Sequence, residues 1–135
     1  MMRRGCMLDY LFFNLGGSAH ELGVKQVAYY LSKYFSAGYG ARIITVPFES
    51  VVKLLVTDIH HKYRGVILKR CMLKCADMLA KQGRYYAVVK GDSLGQVSSQ
   101  TLKNMHVIDQ ACDTLVLRPL IGNNKQEIIN MAKYI

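Results

Sequence analysis

The sequence predicts an α/β fold, a parallel sheet with helices on both faces, and three observations carry that reading. Short apolar runs of strand length alternate with longer stretches of helical periodicity. The runs Met7–Leu15 and Arg84–Lys90 lead into turns rich in Gly and Ser before the next helix. Hydrophobic residues make up 51% and charged residues 20% of 135 residues, enough apolar material for one modest core.

The elements follow in order. Met7 to Leu15 is an apolar run read as a buried strand, followed by the turn Gly16-Gly17-Ser18-Ala19-His20. Glu21 to Phe35 is a helix, because Val24, Val27, Ala28 and Leu31 recur at spacings of three and four. Ala41 to Phe48 is a second strand, and Glu49-Ser50 opens a helix running to about Asp58. Gly65 to Gln82 is a long helix that Gly83 is expected to stop. Arg84 to Lys90 is the third strand, and a short helix runs from about Ser99 to Met105. Asp113 to Leu117 is the fourth strand, and Asn123-Asn124 caps a last helix from Lys125 to Tyr134. Met1 to Gly5 resembles the last turn of a helix begun upstream, and Ile135 lies in or just after a helix, so both ends read as cuts through a longer fold.

The segment Lys90-Gly91-Asp92-Ser93-Leu94-Gly95-Gln96-Val97-Ser98-Ser99-Gln100 carries the strongest functional signal. It joins an apolar strand to a helix start, where glycines allow close backbone approach and free N–H groups favour anions. In open α/β sheets ligands bind beyond the carboxyl ends of the strands. The alternative is a loop that only caps its helix through Ser98 or Ser99.

Net charge is +9, and the span from Lys53 to Arg84 holds eight basic residues against Asp58 and Asp77. Such a face attracts a polyanion, or is simply a solvated helix surface. No apolar run approaches the length of a membrane span, and Met1 to Leu15 offers no signal-peptide pattern. Cys6, Cys71, Cys75 and Cys112 form no C-x-x-C pair, which suggests thiols in a reducing compartment. Cys71 and Cys75, four apart on a helix, are expected as buried small side chains; with His60 and His61 they match no standard zinc spacing.

Several longer motifs carry a resemblance. Phe12-Phe13-Asn14-Leu15-Gly16-Gly17-Ser18-Ala19-His20-Glu21-Leu22-Gly23-Val24-Lys25-Gln26, Gly65-Val66-Ile67-Leu68-Lys69-Arg70, Gly95-Gln96-Val97-Ser98-Ser99-Gln100-Thr101-Leu102 and Asp113-Thr114-Leu115-Val116-Leu117-Arg118-Pro119-Leu120-Ile121 occur in order over nearly the whole chain. Together they resemble the tRNA 4-thiouridine synthetase family, also called tRNA sulfurtransferase or ThiI.

The resemblance implies a single partial adenylation domain of the Rossmann-like PP-loop ATPase type over residues 1–135. In that family ATP activates the C4 oxygen of a tRNA uridine, a persulfide sulfur displaces AMP, and the same sulfur supply feeds the thiazole of thiamine. By family position, Phe12, Phe13, Lys69, Gly91 and Gln100 contact ATP, with Mg²⁺ as its companion. Phe rings would wall the adenine, Lys69 would meet phosphates, Gly91 would admit the backbone and Gln100 would offer an amide. Asp92 stands where the family has an acid, and either helps hold Mg²⁺ or favours the helix dipole. His20 is expected to cap or orient its loop. The implied partners are tRNA and a sulfur-donating cysteine desulfurase, in the cytoplasm and away from membranes.

Nothing in residues 1–135 matches the family's Ser-Gly-Gly-x-Asp-Ser phosphate loop, and Leu15-Gly16-Gly17-Ser18 only echoes it. The resemblance places the strand bearing that loop between the runs Met7–Leu15 and Arg84–Lys90. The RNA-binding THUMP region, a rhodanese-like extension and the sulfur-handling cysteine are likewise not matched, so no cysteine here receives a catalytic role. The expectation is a chain inactive alone, either part of a sulfurtransferase or a non-catalytic nucleotide- and tRNA-binding remnant. The missing strand would be relieved by direct pairing of its neighbours, by a strand from a second chain, or by self-association.

Overall fold

The computed structural model describes residues 1–135, which divide into two compact units, Met1–Thr57 and Asp58–Ile135. In the first unit, a 3₁₀ turn at Met2–Arg4 closes on Gly5 in the left-handed conformation. Strand β1 (Tyr10–Asn14) leads to helix α1 (Ser18–Phe35), strand β2 (Ile43–Pro47) and helix α2 (Glu49–Asp58). β1 and β2 pair in parallel, with Tyr10 opposite Ile43 and Asn14 opposite Pro47. Ala28, Phe48 and Leu55 are the buried apolar residues of this unit.

The second unit holds helix α3 (His61–Gly83), strand β3 (Ala87–Val89), helix α4 (Leu102–Asp109), strand β4 (Leu115–Leu117) and helix α5 (Lys125–Tyr134). β3 and β4 pair in parallel, and α3 packs on α4 and β3. Leu73, Ala76, Ala80, Met105 and Ile108 form its core. The alternation of helices with parallel strands is the one read from the sequence. Each ladder is a two-stranded parallel sheet, one of β1 and β2 and the other of β3 and β4.

Several expected boundaries move, each for a physical reason. The first strand starts at Tyr10, not Met7: Met7 is exposed, and Asp9 turns its carboxylate to Arg42 and the Tyr39 hydroxyl. α1 starts at Ser18 because Gly16 and Gly17 make the turn at positive φ, with the Gly16 N–H donating to the Asn14 side-chain oxygen. α3 begins four residues before Gly65, where His60 caps it by accepting from the Lys62 N–H. It ends on Arg84 in the left-handed conformation, so Gly83 is not the stop. Gly83 instead leaves room for the Tyr85 ring, which lies 2.3 Å from where a Cβ would stand. β3 and β4 are only three residues each, shorter than the apolar runs that mark them.

Capping also differs from expectation at two helices and matches it at a third. Thr101, not Ser98 or Ser99, caps α4 by accepting from the Asn104 N–H, and Ser98–Gln100 is a separate 3₁₀ turn. His20 is not the cap of α1; its N-cap is Gly17, with no side-chain hydrogen bond, and the His20 ring lies against Phe12. Asn124 caps α5 in a reciprocal capping box with Glu127. Cys71 and Cys75 are half-buried rather than buried, and burial pushes the Cys75 thiol up.

Candidate functional site

The loop after β3 is built by backbone bonds from both flanking elements. The Lys90 N–H donates to the Leu117 carbonyl, Leu94 to Ile121, and Gly95 to Gln100, at 2.9–3.0 Å. The Ser93 hydroxyl is buried and donates to the Asn123 carbonyl, tying this loop to the start of α5. Gly95 sits at φ 74, a conformation that glycine adopts without strain. Gly91 has ordinary φ, is exposed, and has nothing within 4 Å of its missing Cβ.

Asp92 is the centre of this loop. Its side chain is 9% exposed, and four donors converge on it. Its Oδ1 accepts from Lys69 Nζ at 3.4 Å and from Gln100 Nε2 at 3.2 Å. Its Oδ2 meets Lys90 Nζ at 2.8 Å and Arg118 Nε at 3.3 Å. Arg118 also reaches Asp109 on α4 through Nη2. Burial pushes the Asp92 carboxyl upward, but hydrogen bonds from Lys90 and Gln100 and the charges of Lys90 and Lys69 outweigh it, holding it at about 2. Gln100 Oε1 is buried without a partner. Such an orphaned acceptor is costly unless something donates to it.

A second buried carboxylate, Asp77 on α3, is 1% exposed. It accepts from Lys81 Nζ at 2.8 Å, the Thr114 hydroxyl at 2.7 Å and the Thr114 N–H at 2.9 Å. Those bonds hold its carboxyl well below the ordinary range, and they clamp α3 to the start of β4. All of its close donors lie in the second unit, so Asp77 serves the fold of that unit.

In the first unit, Phe12 and Phe13 stand side by side on β1 with different ring neighbours. Phe12 faces His20 at 5.7 Å between ring centroids, and Phe13 meets Phe48 edge-on at 4.9 Å. Successive strand residues point to opposite faces. Beyond them, Glu21 receives Asn14 Nδ2 at 3.0 Å and Lys25 Nζ at 2.7 Å, and the hydrogen bond from Lys25 leads the lowering of its carboxyl. A largely apolar groove of about 590 Å³ runs between α1 and β1, lined by Tyr10, His20, Val24, Val27 and Leu31.

Of the five residues expected to touch a nucleotide, Lys69, Gly91 and Gln100 lie in the second unit. There Lys69 and Gln100 meet on one carboxylate next to Gly91. Phe12 and Phe13 lie in the first unit. Two cations of the cluster, Lys90 and Arg118, escaped sequence reasoning. Lys90 was hidden as the end of a strand and Arg118 as the end of a motif; the signal was the single acid between them in space. Asp92 as a magnesium ligand does not fit this arrangement, because Lys69, Lys90 and Arg118 already surround it. No group of three or more His, Cys, Asp or Glu side chains gathers to hold a metal ion.

The basic span from Lys53 to Arg84 carries less local excess than its sequence suggests. Acids from outside it fold back onto it: Glu49 onto Lys53, Asp92 onto Lys69 and Asp113 onto Lys81.

The sequence profile of the family described as thiamine biosynthesis protein (ThiI) matches residues 1–135. The chain belongs to the ThiI family. A tRNA sulfurtransferase from Marinobacter nauticus is 52% identical over 135 residues, covering 100% of this chain and 28% of that protein. One from Yersinia pestis is 51% identical over the same length and share. A crystal structure of a 4-thiouridine synthetase–RNA complex with bound ATP superimposes with a TM-score of 0.90 at 28% identity. That match covers 97% of this chain and 34% of the other. This ThiI-family chain thus spans 28% of the length of these curated relatives. No helix in it is long and apolar enough to cross a membrane.

Proposed function

We propose that this chain supplies part of the ATP-dependent adenylation domain of a tRNA sulfurtransferase. One observation supports this reading above the others: Lys69 and Gln100, from α3 and from the 3₁₀ turn before α4, converge on the loop opened by Gly91. Lys69 offers charge to a phosphate, Gln100 offers an amide, and the open space at Gly91 admits a ligand against the backbone. The related 4-thiouridine synthetase holds both RNA and ATP. We read Phe12 and Phe13, in the first unit, as further nucleotide contacts; with their rings on opposite faces of β1, only one ring can wall an adenine.

In the proposed reaction the uridine C4 oxygen attacks the α-phosphorus of ATP and releases pyrophosphate. The terminal sulfur of a cysteine persulfide, charged through a cysteine desulfurase, then adds at C4 and expels AMP, and a second thiol attacks the bridging cysteine sulfur, breaking the S–S bond to leave 4-thiouridine and a disulfide that an external thiol reductant reopens. The same sulfur supply would serve thiazole formation for thiamine. Mg²⁺, where it accompanies ATP, would offset phosphate charge, and the cations already paired with Asp92 argue against that carboxylate as its ligand. The basic surface of the chain, at a net +9, favours tRNA phosphates, and the reaction belongs in the cytoplasm, where tRNA and ATP are found.

The second reading is a nucleotide- and tRNA-binding part without catalysis of its own. The absence of a Ser-Gly-Gly-x-Asp-Ser pattern within residues 1–135 favours it for the chain taken alone. A chimera separates the two. Residues 1–135 replace the matching segment of the Marinobacter nauticus enzyme, and 4-thiouridine formation is assayed with ATP, a sulfur donor and unmodified tRNA. The first reading expects an active chimera that Lys69→Met or Gln100→Ala disables, and an inactive isolated chain. A folded chimera with no activity supports the second reading.

A further inference from the structure

The two oxygens of Asp92 divide their work. Oδ1 takes Lys69 and Gln100, the two side chains expected to meet a nucleotide, and Oδ2 takes Lys90 and Arg118, which root the carboxylate in the loop and in β4's end. We propose that Asp92 is a positioning residue for the ATP site, its Oδ1 holding the Lys69 ammonium and the Gln100 carboxamide in the arrangement that meets the nucleotide. The proposal rests on the ATP site proposed above.

The chemistry of each group supports that role. A lysine ammonium has three donors. Asp92 engages one, which leaves two for phosphate oxygens, and Lys69 is the most exposed of the three cations at 28%. Gln100 Nε2 is spent on Asp92, which fixes the direction of Oε1, the buried acceptor without a partner. Arg118 has a second anion in Asp109, while Asp92 is the one carboxylate paired with Lys69 and Lys90. An asparagine at 92 has one acceptor oxygen and one NH₂ donor. It must aim that donor at one of the two donor pairs, and it cannot balance the cations. A glutamate keeps both oxygens and the charge on a longer arm.

The test uses the full chain with Asp92→Asn, Asp92→Glu, Lys69→Met and the Asp92→Asn/Lys69→Met double variant. ATP affinity is measured by titration. NMR follows the Lys69 ammonium, the Gln100 carboxamide and the Thr114 amide, the last being held by Asp77 and reporting an intact fold. Asp92→Asn is expected to weaken ATP binding by about tenfold or more. It should cost clearly less in the Lys69→Met background, where only the Gln100 contact is left to lose, because residues acting through one another are not additive. Asp92→Glu should recover part of the loss. Without ATP, Asp92→Asn should release the Lys69 and Gln100 signals to solvent-like values while Thr114 stays protected.

Additive losses, or unchanged Lys69 and Gln100 signals in a folded Asp92→Asn variant, would overturn the proposal. If the wild-type chain binds no ATP, the proposed nucleotide site fails, and the NMR comparison still decides whether Asp92 positions the two side chains. If Asp92→Asn loses Thr114 protection, Asp92→Glu is read instead. The Lys69 and Gln100 signals must then shift together, and independent behaviour counts against the proposal.

Discussion

Gly91 and Asp92 are neighbours in sequence with opposite surroundings. Around Gly91 the space where a side chain would stand is empty, so the fold itself does not require glycine there. Gly91→Ala should leave stability unchanged or raise it by about 0.4–1 kcal/mol through the unfolded chain, while weakening ATP binding. Urea unfolding and ATP titration of the same variant check this; a destabilised protein with unchanged ATP affinity would contradict it. Asp92 makes a pH-dependent contribution. Its carboxyl sits at about 2 in the folded chain against an ordinary 3.8. A depressed carboxyl stabilises above the unfolded value and loses that stabilisation as pH falls through the folded one. The contribution is about 2 kcal/mol at neutral pH. The stability gap between wild type and Asp92→Asn should therefore be widest at pH 7 and narrow between about 3.8 and 2. A gap that stays constant over that range would contradict the charge-based account.

Helix α3 shows two glycines with opposite consequences. Gly65 stands inside the helix with nothing within 4 Å of where a Cβ would stand, whereas a Cβ at Gly83 would meet the Tyr85 ring at 2.3 Å. Gly65→Ala should stabilise by about 0.5–1 kcal/mol, the usual helical gain. Gly83→Ala should destabilise by about 0.5–1.5 kcal/mol, the usual cost of driving a side chain, here the Tyr85 ring, off its preferred rotamer. Thermal unfolding of both variants checks the pair, and a stabilising Gly83→Ala would show that Tyr85 moves aside freely. The same helix marks the limit of what pattern reveals. That a long helix lies here was legible, as were the order of all helices and strands and the cap at Asn124. Its start was not, because His60 caps it and Gly65 looks like a breaker. Its end was not, because the residue in left-handed conformation is Arg84, a role usually given to glycine. The site was legible as a loop, since glycines between a strand and a helix are a local signal. Lys90 and Arg118 were not, because their convergence on Asp92 depends on β3 pairing with β4.

For the whole molecule, the two sheets of two strands set the expectation. Paired strands of this kind are marginal without further cover. Each sheet has open edges, and large apolar side chains such as Met7, Val27, Leu54 and Leu115 are exposed. Open edges and exposed apolar groups promote association between chains. The weight-average mass of the 135-residue chain in sedimentation should therefore rise with concentration. A strict monomer throughout the micromolar range would contradict this. The family assignment is carried by the whole length, and the proposed activity by a cluster in one unit and a strand in the other. A single measurement examines both at once: backbone and side-chain NMR of the labelled chain during titration with ATP. The account predicts saturable shifts concentrated at Phe12, Phe13, Lys69 and Gly91 through Gln100, weakened together by Lys69→Met. Saturable shifts that leave Lys69, Gly91 and Gln100 unmoved, or no shifts at millimolar ATP, would contradict it.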